Sequence, residues 1–179
     1  PFWIPSGSMK DTLLIGDFLF VNKMAYGYSY ASCPNIAPIG IDAEKICGFL
    51  DRDNTRLFGG APERGDIIVF RPPTTGTDFI KRLIGLPGDK VQVPEGPLRN
   101  QPRCENGPVG LGAACEKSRF IETLPGGTSH NILNIGRMPA DNTRVYNVPP
   151  GHYFFMGDNR DNSTDSRVPD RAGGVGFVP

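Results

Sequence analysis

The chain has 179 residues, with 19 Lys and Arg against 19 Asp and Glu, so its formal net charge is zero. A chain of this length buries roughly 70% of its unfolded surface and supports one substantial core. Neither half carries the dense Lys/Arg block of a nucleic-acid binder, so no nucleic acid is expected as a partner, and no run approaches the roughly 20 apolar residues of a membrane-spanning helix. The 18 prolines and 23 glycines interrupt the chain too often for long helices. The apolar runs between them are short and β-branched or aromatic, so the predicted class is mostly β, antiparallel, with at most short helices.

The chain opens Pro1-Phe2-Trp3-Ile4-Pro5-Ser6-Gly7-Ser8-Met9. An aromatic pair there suits a segment leaving a bilayer interface, and a membrane anchor is expected upstream. Pro5 biases Ile4 toward extended backbone and Gly7 offers dihedrals closed to other residues, so the stretch suits a tight turn. Such a turn either displays a nucleophilic serine or is a hydroxyl-rich loop. Leu13 to Val21 predicts a strand bent at Gly16-Asp17, with its apolar residues in the core. From about Tyr26 to Glu63 periodicity is lost, apart from a short helix over Ile41 to Leu50.

Arg64 to Phe70 predicts a buried strand stopped by Pro72-Pro73, and Asp78 to Gly85 predicts a second strand that forms a hairpin with it. Leu86-Pro87-Gly88-Asp89 is a turn signal, followed by an alternating strand over Lys90 to Val93. Within the Gly/Pro-rich residues 94–147, strands are predicted at Ser118 to Thr123 and Arg144 to Val148, while His130 falls in a surface loop. Gly151 to Met156 is an aromatic strand that runs into Gly157 to Arg167, eleven residues without an apolar side chain. That turn either satisfies itself as a buried hydrogen-bonded network or stands in water. The expectation is one domain over residues 1–179, with a core from about 1–25, 64–94 and 144–179 and excursions over about 26–63 and 95–143.

Cys33, Cys47, Cys104 and Cys115 fall as two pairs in the two excursions, with no Cys-x-x-Cys and only two histidines in the chain, which argues against a metal site. Disulfides Cys33–Cys47 and Cys104–Cys115 are the simplest of the three connectivities and imply an oxidising compartment; four free thiols are the alternative.

A serine that attacks a carbonyl carbon needs a base. His130 and His152 both read as structural or solvent-facing, which leaves lysine. An ammonium must be desolvated to lose its proton near neutral pH. Lys81 fits best: on a period-2 strand it shares a face with Phe79 and Leu83, while Asp78, Ile80, Arg82 and Ile84 share the other. With that face inward the amine is dry; with it outward Lys81 snorkels into water.

Four boxes carry a resemblance: Ile4-Pro5-Ser6-Gly7-Ser8-Met9 with Thr12-Leu13; Arg64 to Phe70; Ile80-Lys81-Arg82 with Gly85 to Asp89; and Met156 to Ser163 with Asp165-Ser166-Arg167. Their content and order resemble bacterial type I signal peptidase. The resemblance implies a signal-peptidase-like β fold with large insertions, Ser8 as nucleophile and Lys81 as general base, with no cofactor. It implies an oxyanion hole from the Ser6 hydroxyl and the Ser8 backbone N–H, Ser163 orienting the amine, and Asp165 supporting the site through Arg167 or Arg82. Phe2, Ile4, Pro5, Met9, Leu13, Val69, Asp78, Phe79 and Ile80 are the expected substrate-binding residues, with the peptide adding a strand beside the one that carries Lys81. Two departures stand out. Asp11 occupies a position where the family usually has proline, and Arg167 is followed by an insertion before Gly176-Phe177-Val178.

The expected protein is a serine endopeptidase that removes signal peptides at small-x-small sites. It is expected at the bacterial inner membrane with this domain on the outer side, partnered by signal peptides and the lipid surface, with an exposed apolar face around Phe2 and Trp3. The rivals are a specialised maturation peptidase of conjugative-pilus type and a non-catalytic β-rich peptide-binding domain.

Overall fold

The computed structural model describes residues 2–23, 25–27, 59–72, 76–93, 118–134 and 141–179. All four cysteines and the helix expected over Ile41 to Leu50 lie outside the described residues. The chain divides into two compact units, Pro1–Leu19 with Glu63–Pro179, and Phe20–Pro62. In the second unit the described residues contain neither helix nor strand.

The first unit is built from short antiparallel strands. These are β1 (Phe2–Trp3), β2 (Phe18–Leu19), β3 (Ile67–Phe70), β4 (Phe79–Gly85), β5 (Lys90–Val91), β6 (Ser118–Thr123), β7 (Ser129–Asn134), β8 (Tyr146–Asn147) and β9 (Phe154–Met156). Helical structure among the described residues is limited to three-residue 3-10 turns, so the mostly-β expectation is borne out.

The organising sheet has the order β3-β4-β9. β3 and β4 are the expected hairpin, with Ile68 opposite Lys81 and Phe70 opposite Phe79. β9 covers the other edge of β4 only from Arg82 to Gly85, which leaves Phe79 to Lys81 without a strand on that side among the described residues. Alternation along β9 explains why β4 is buried on both faces. Phe155 joins Leu83, Val175 and Val178 in one apolar cluster, and Phe154 and Met156 join Ile84, Leu124 and Val148 in another. The chain end closes on this sheet, since Tyr153 and Val178 exchange backbone hydrogen bonds of 2.7 and 3.1 Å.

Two differences from the sequence reading matter for the site. The strand expected over Leu13 to Val21 shrinks to β2. Asp17 accepts the Leu14 N–H on its carboxylate at 2.8 Å, and its backbone N–H bonds the Leu14 carbonyl at 3.1 Å, so the run folds into a turn. None of its apolar side chains is in the core, and Leu14, Ile15, Phe18 and Phe20 are exposed: Phe18 is 75% exposed and pairs across β1–β2 with Trp3, itself 55% exposed. The second difference is β7, which pairs with β6 over its whole length and removes His130 from any surface loop. Asp11, the departure from the family proline, has φ +92°. Proline, locked near −65°, is excluded from that conformation.

Candidate active site

Extended backbone at Ser6 (φ −130°, ψ 155°) leads into a 3-10 turn over Gly7–Met9. The Ser6 hydroxyl does not cap that turn, and it stands 3.4 Å from Ser8 Oγ. Met9 and Ile4 are buried beneath, which fixes the turn from below. Asn159 fixes it from the side: its Nδ2 donates to the Gly7 carbonyl at 2.8 Å and its backbone N–H to the Ser8 carbonyl at 3.0 Å. Gly7 is not among the positive-φ residues, and a Cβ there would meet Ile15 Cδ1 at an ordinary 3.6 Å. The turn therefore does not require the special glycine dihedrals expected from the sequence.

β4 delivers the second group. Lys81 is 4% exposed, lies under Ser8, and its Nζ donates to Ser8 Oγ at 2.7 Å and to the Ile80 carbonyl at 3.0 Å. The Phe79 ring centroid is 5.6 Å from Nζ. Burial pushes the ammonium down from 10.5 to about 8, against the opposing pull of the Asp165 and Asp158 carboxylates. Of the two faces open to Lys81 in the sequence, it occupies the dry one.

The polar turn after β9 resolves the same way, as a buried network. Asp158 accepts two bonds from Arg82, at 2.8 and 2.7 Å, and one from Thr12, four residues beyond Ser8. Arg82 also donates to the Gly65 carbonyl at 2.8 Å. Asp165, fully buried, holds Arg167 through both Nε and Nη2 at 2.9 Å and accepts the Gly157 N–H at 3.1 Å. Of the two arginines expected near Asp165, Arg167 bonds it while Arg82 bonds Asp158. Arg160 reaches Glu122 on β6. Burial pushes the Glu122 carboxyl up, but His130 and Arg160 together outweigh this and hold it at about 2.

Ser163 Oγ is buried without a hydrogen bond, and the amine it was expected to orient is bonded to Ser8 and Ile80 instead. It sits against Gly157, where an added Cβ would come within 2.3 Å of Ser163 Oγ and 2.5 Å of the Ser8 carbonyl. Gly157→Ala is therefore expected to displace both serines and lower turnover by about 100-fold or more, read as kcat beside an unfolding curve that shows the variant folded.

A cavity of about 610 Å³ opens over the pair, walled by Pro5, Ser6, Gly7, Ser8 and Ile15, by Asp78, Phe79, Ile80 and Lys81, and by Asp161, Asn162, Ser163 and Thr164. Of the expected substrate-binding residues, Pro5, Asp78, Phe79 and Ile80 line it, whereas Phe2, Ile4, Met9, Leu13 and Val69 do not. Asp78 is tied at the mouth to Arg71 by bonds of 2.7 and 3.0 Å. Asn159, Asn162 and Ile15 were not singled out in the sequence, although the two asparagines lie in the same box as Ser163. Among the described residues no group of His, Cys, Asp or Glu could hold a metal ion.

A family model, Signal peptidase, peptidase S26, matches residues 1–179. The chain belongs to this family. It is 42% identical to signal peptidase I of Rickettsia prowazekii (strain Madrid E), 41% to that of Rickettsia canadensis (strain McKiel) and 40% to that of Rickettsia massiliae (strain Mtu5), each over 191 residues. These alignments cover 100% of this chain and 66% of each relative, so the chain spans just under two thirds of the length of the signal peptidases it matches. Among the described residues of this S26 member, no helix is long and apolar enough to cross a membrane.

Proposed function

We propose that the chain is the catalytic part of a serine endopeptidase that removes signal peptides from exported preproteins at small-x-small sites, using Ser8 and Lys81. The observation that carries this reading is the 2.7 Å contact between Ser8 Oγ and an amine that burial has brought down to about 8. At pH 7 roughly one such lysine in ten is neutral. The neutral amine accepts the Ser8 proton as Oγ attacks the scissile carbonyl carbon. The Ser6 hydroxyl and the Ser8 N–H stabilise the charge on the carbonyl oxygen. The protonated amine then gives its proton to the leaving amine of the mature chain, and the acyl-enzyme is hydrolysed by a water that Lys81 deprotonates. Ser163, at the cavity wall with a hydroxyl that makes no other hydrogen bond, steadies the amine when Ser8 Oγ turns to the substrate. The Asp165–Arg167 and Asp158–Arg82 pairs hold that wall in place.

The substrate adds a strand along Phe79 to Lys81, the half of β4 that β9 leaves uncovered. Pro5 and Ile80 close the space beside Ser8 to small side chains. Exposed Trp3 and Phe18, paired on one face of β1–β2, favour contact with the lipid surface from which a signal peptide emerges. This suits a protein at the bacterial inner membrane with this part on its outer side.

The test is cleavage of a preprotein with an Ala-x-Ala site, with the new N-terminus sequenced. A single cut after the second Ala, lost when that Ala is replaced by Phe, is expected. Indifference to that replacement would sink the specificity. On anionic vesicles, Trp3→Ser with Phe18→Ser is expected to weaken binding about tenfold or more.

A further inference from the structure

His130 is a buried titratable group that this mechanism leaves unused. Its side chain, on β7, is 5% exposed, with Nε2 3.1 Å from Glu122 Oε2 and 3.8 Å from Asp158 Oδ1. Neither ring nitrogen makes an aligned hydrogen bond, an unusual condition for a buried polar ring, although Nε2 lies close enough to Glu122 to help hold that carboxyl low. Among the described residues two carboxylates face it, Glu122 from β6 and Asp158 from the polar turn, and each is bonded to an arginine, Arg160 and Arg82. The ring therefore stands as a wedge between two carboxylates that are each committed to an arginine.

One of those carboxylates reaches the reaction centre. Asp158 holds Arg82, the neighbour of Lys81, and Thr12, beyond Ser8. Its carbonyl accepts the Leu133 N–H at 2.8 Å from the strand that carries His130. The next residue, Asn159, clamps Gly7 and Ser8. We propose that His130 is a positioning residue for the dyad: its imidazole fixes the Asp158 carboxylate, and through it the separation of Ser8 and Lys81. This rests on the reading of those two residues as nucleophile and base. His130 is absent from the cavity wall, so its loss acts on turnover and not on substrate binding.

Steady-state kinetics of the full chain on an Ala-x-Ala preprotein test this. His130→Leu fills the space without a polar edge and is expected to lower kcat about tenfold, with KM within a factor of about two. His130→Gln, which keeps a planar polar side chain, is expected to recover most of that loss. His152→Ala, at a half-buried position outside the cavity wall, is expected to match the unaltered chain. Wild-type kcat in folded His130→Leu, or a change confined to KM, would overturn the proposal. Should His130→Leu fail to fold, His130→Gln beside His130→Ala gives the same comparison, and equal kcat in the two would overturn it. No cleavage by the unaltered chain would remove the dyad reading and this one together. Cleavage abolished by Ser8→Ala but unmoved by His130→Leu would remove this one alone.

Discussion

Ser8→Ala and Lys81→Met are each expected to lower preprotein cleavage by roughly 10⁴-fold or more, because in the proposed mechanism nucleophile and base act as a unit. The two variants part company in stability. Lys81 has a folded-state value of about 8, below its unfolded 10.5. Below pH 8 both states hold the proton, and the desolvation cost, on the order of 3 kcal/mol, is fully present. Between pH 8 and 10.5 the unfolded state binds more protons, so stability rises with pH, and above 10.5 the cost is gone. Lys81→Met is therefore expected to be inactive yet more stable than the unaltered chain at pH 7, with the advantage fading toward pH 10.5. Urea unfolding at several pH values reads this directly. The unaltered chain should show kcat/KM rising with pH, half-maximal near 8 and level above about 9. A rise that continues past pH 10 would contradict the dry amine, and full activity in either variant would end the mechanism.

Asp165→Ala is expected to cost about 3–5 kcal/mol, the penalty for leaving a buried charge without its partner. The carboxylate accepts four bonds, two from the Arg167 guanidinium and one each from the backbone N–H groups of Gly157 and Arg167. Its removal strands the guanidinium, 8% exposed over the residue as a whole, and an N–H at the residue that abuts both Ser8 and Ser163. Adding Arg167→Met to Asp165→Ala removes the orphaned charge, and the double variant should be more stable than Asp165→Ala alone. Equal or lower stability in the double variant would mean that the backbone bonds, not the ion pair, carry the effect.

The four boxes and their order were legible because the chemistry restricts them locally: two hydroxyls around a glycine, a lysine on an apolar strand, a dense polar turn. The face of β4 was not. Phe155, Val175 and Val178, from the far end of the chain, pack with Leu83 on the face that Lys81 shares, and no local pattern encodes that cover. The polar turn was undecidable for the same reason, since burial there is set by β4, β6 and the Ser8 turn. Leu13 to Val21 misled because apolarity outvoted the one residue that governs the backbone, Asp17. β7 was missed because Ser129 to Asn134 alternates weakly and contains no aromatic residue. Ile4 and Met9, expected at the substrate, are buried and do not line the cavity, a placement that depends on tertiary packing and not on local pattern.

The Asn159 side chain meets the Gly7 carbonyl across 152 positions of sequence, and Lys81 meets Ser8 across 73. Closing loops that long is entropically costly and slow beside local pairing. Ser8 is therefore made well before the residue that clamps it. A chain still lacking residues 157–167 has the serine and the lysine but not the Asn159 bonds to Gly7 and Ser8, so the 7–9 turn takes its final place only after that polar turn has been made.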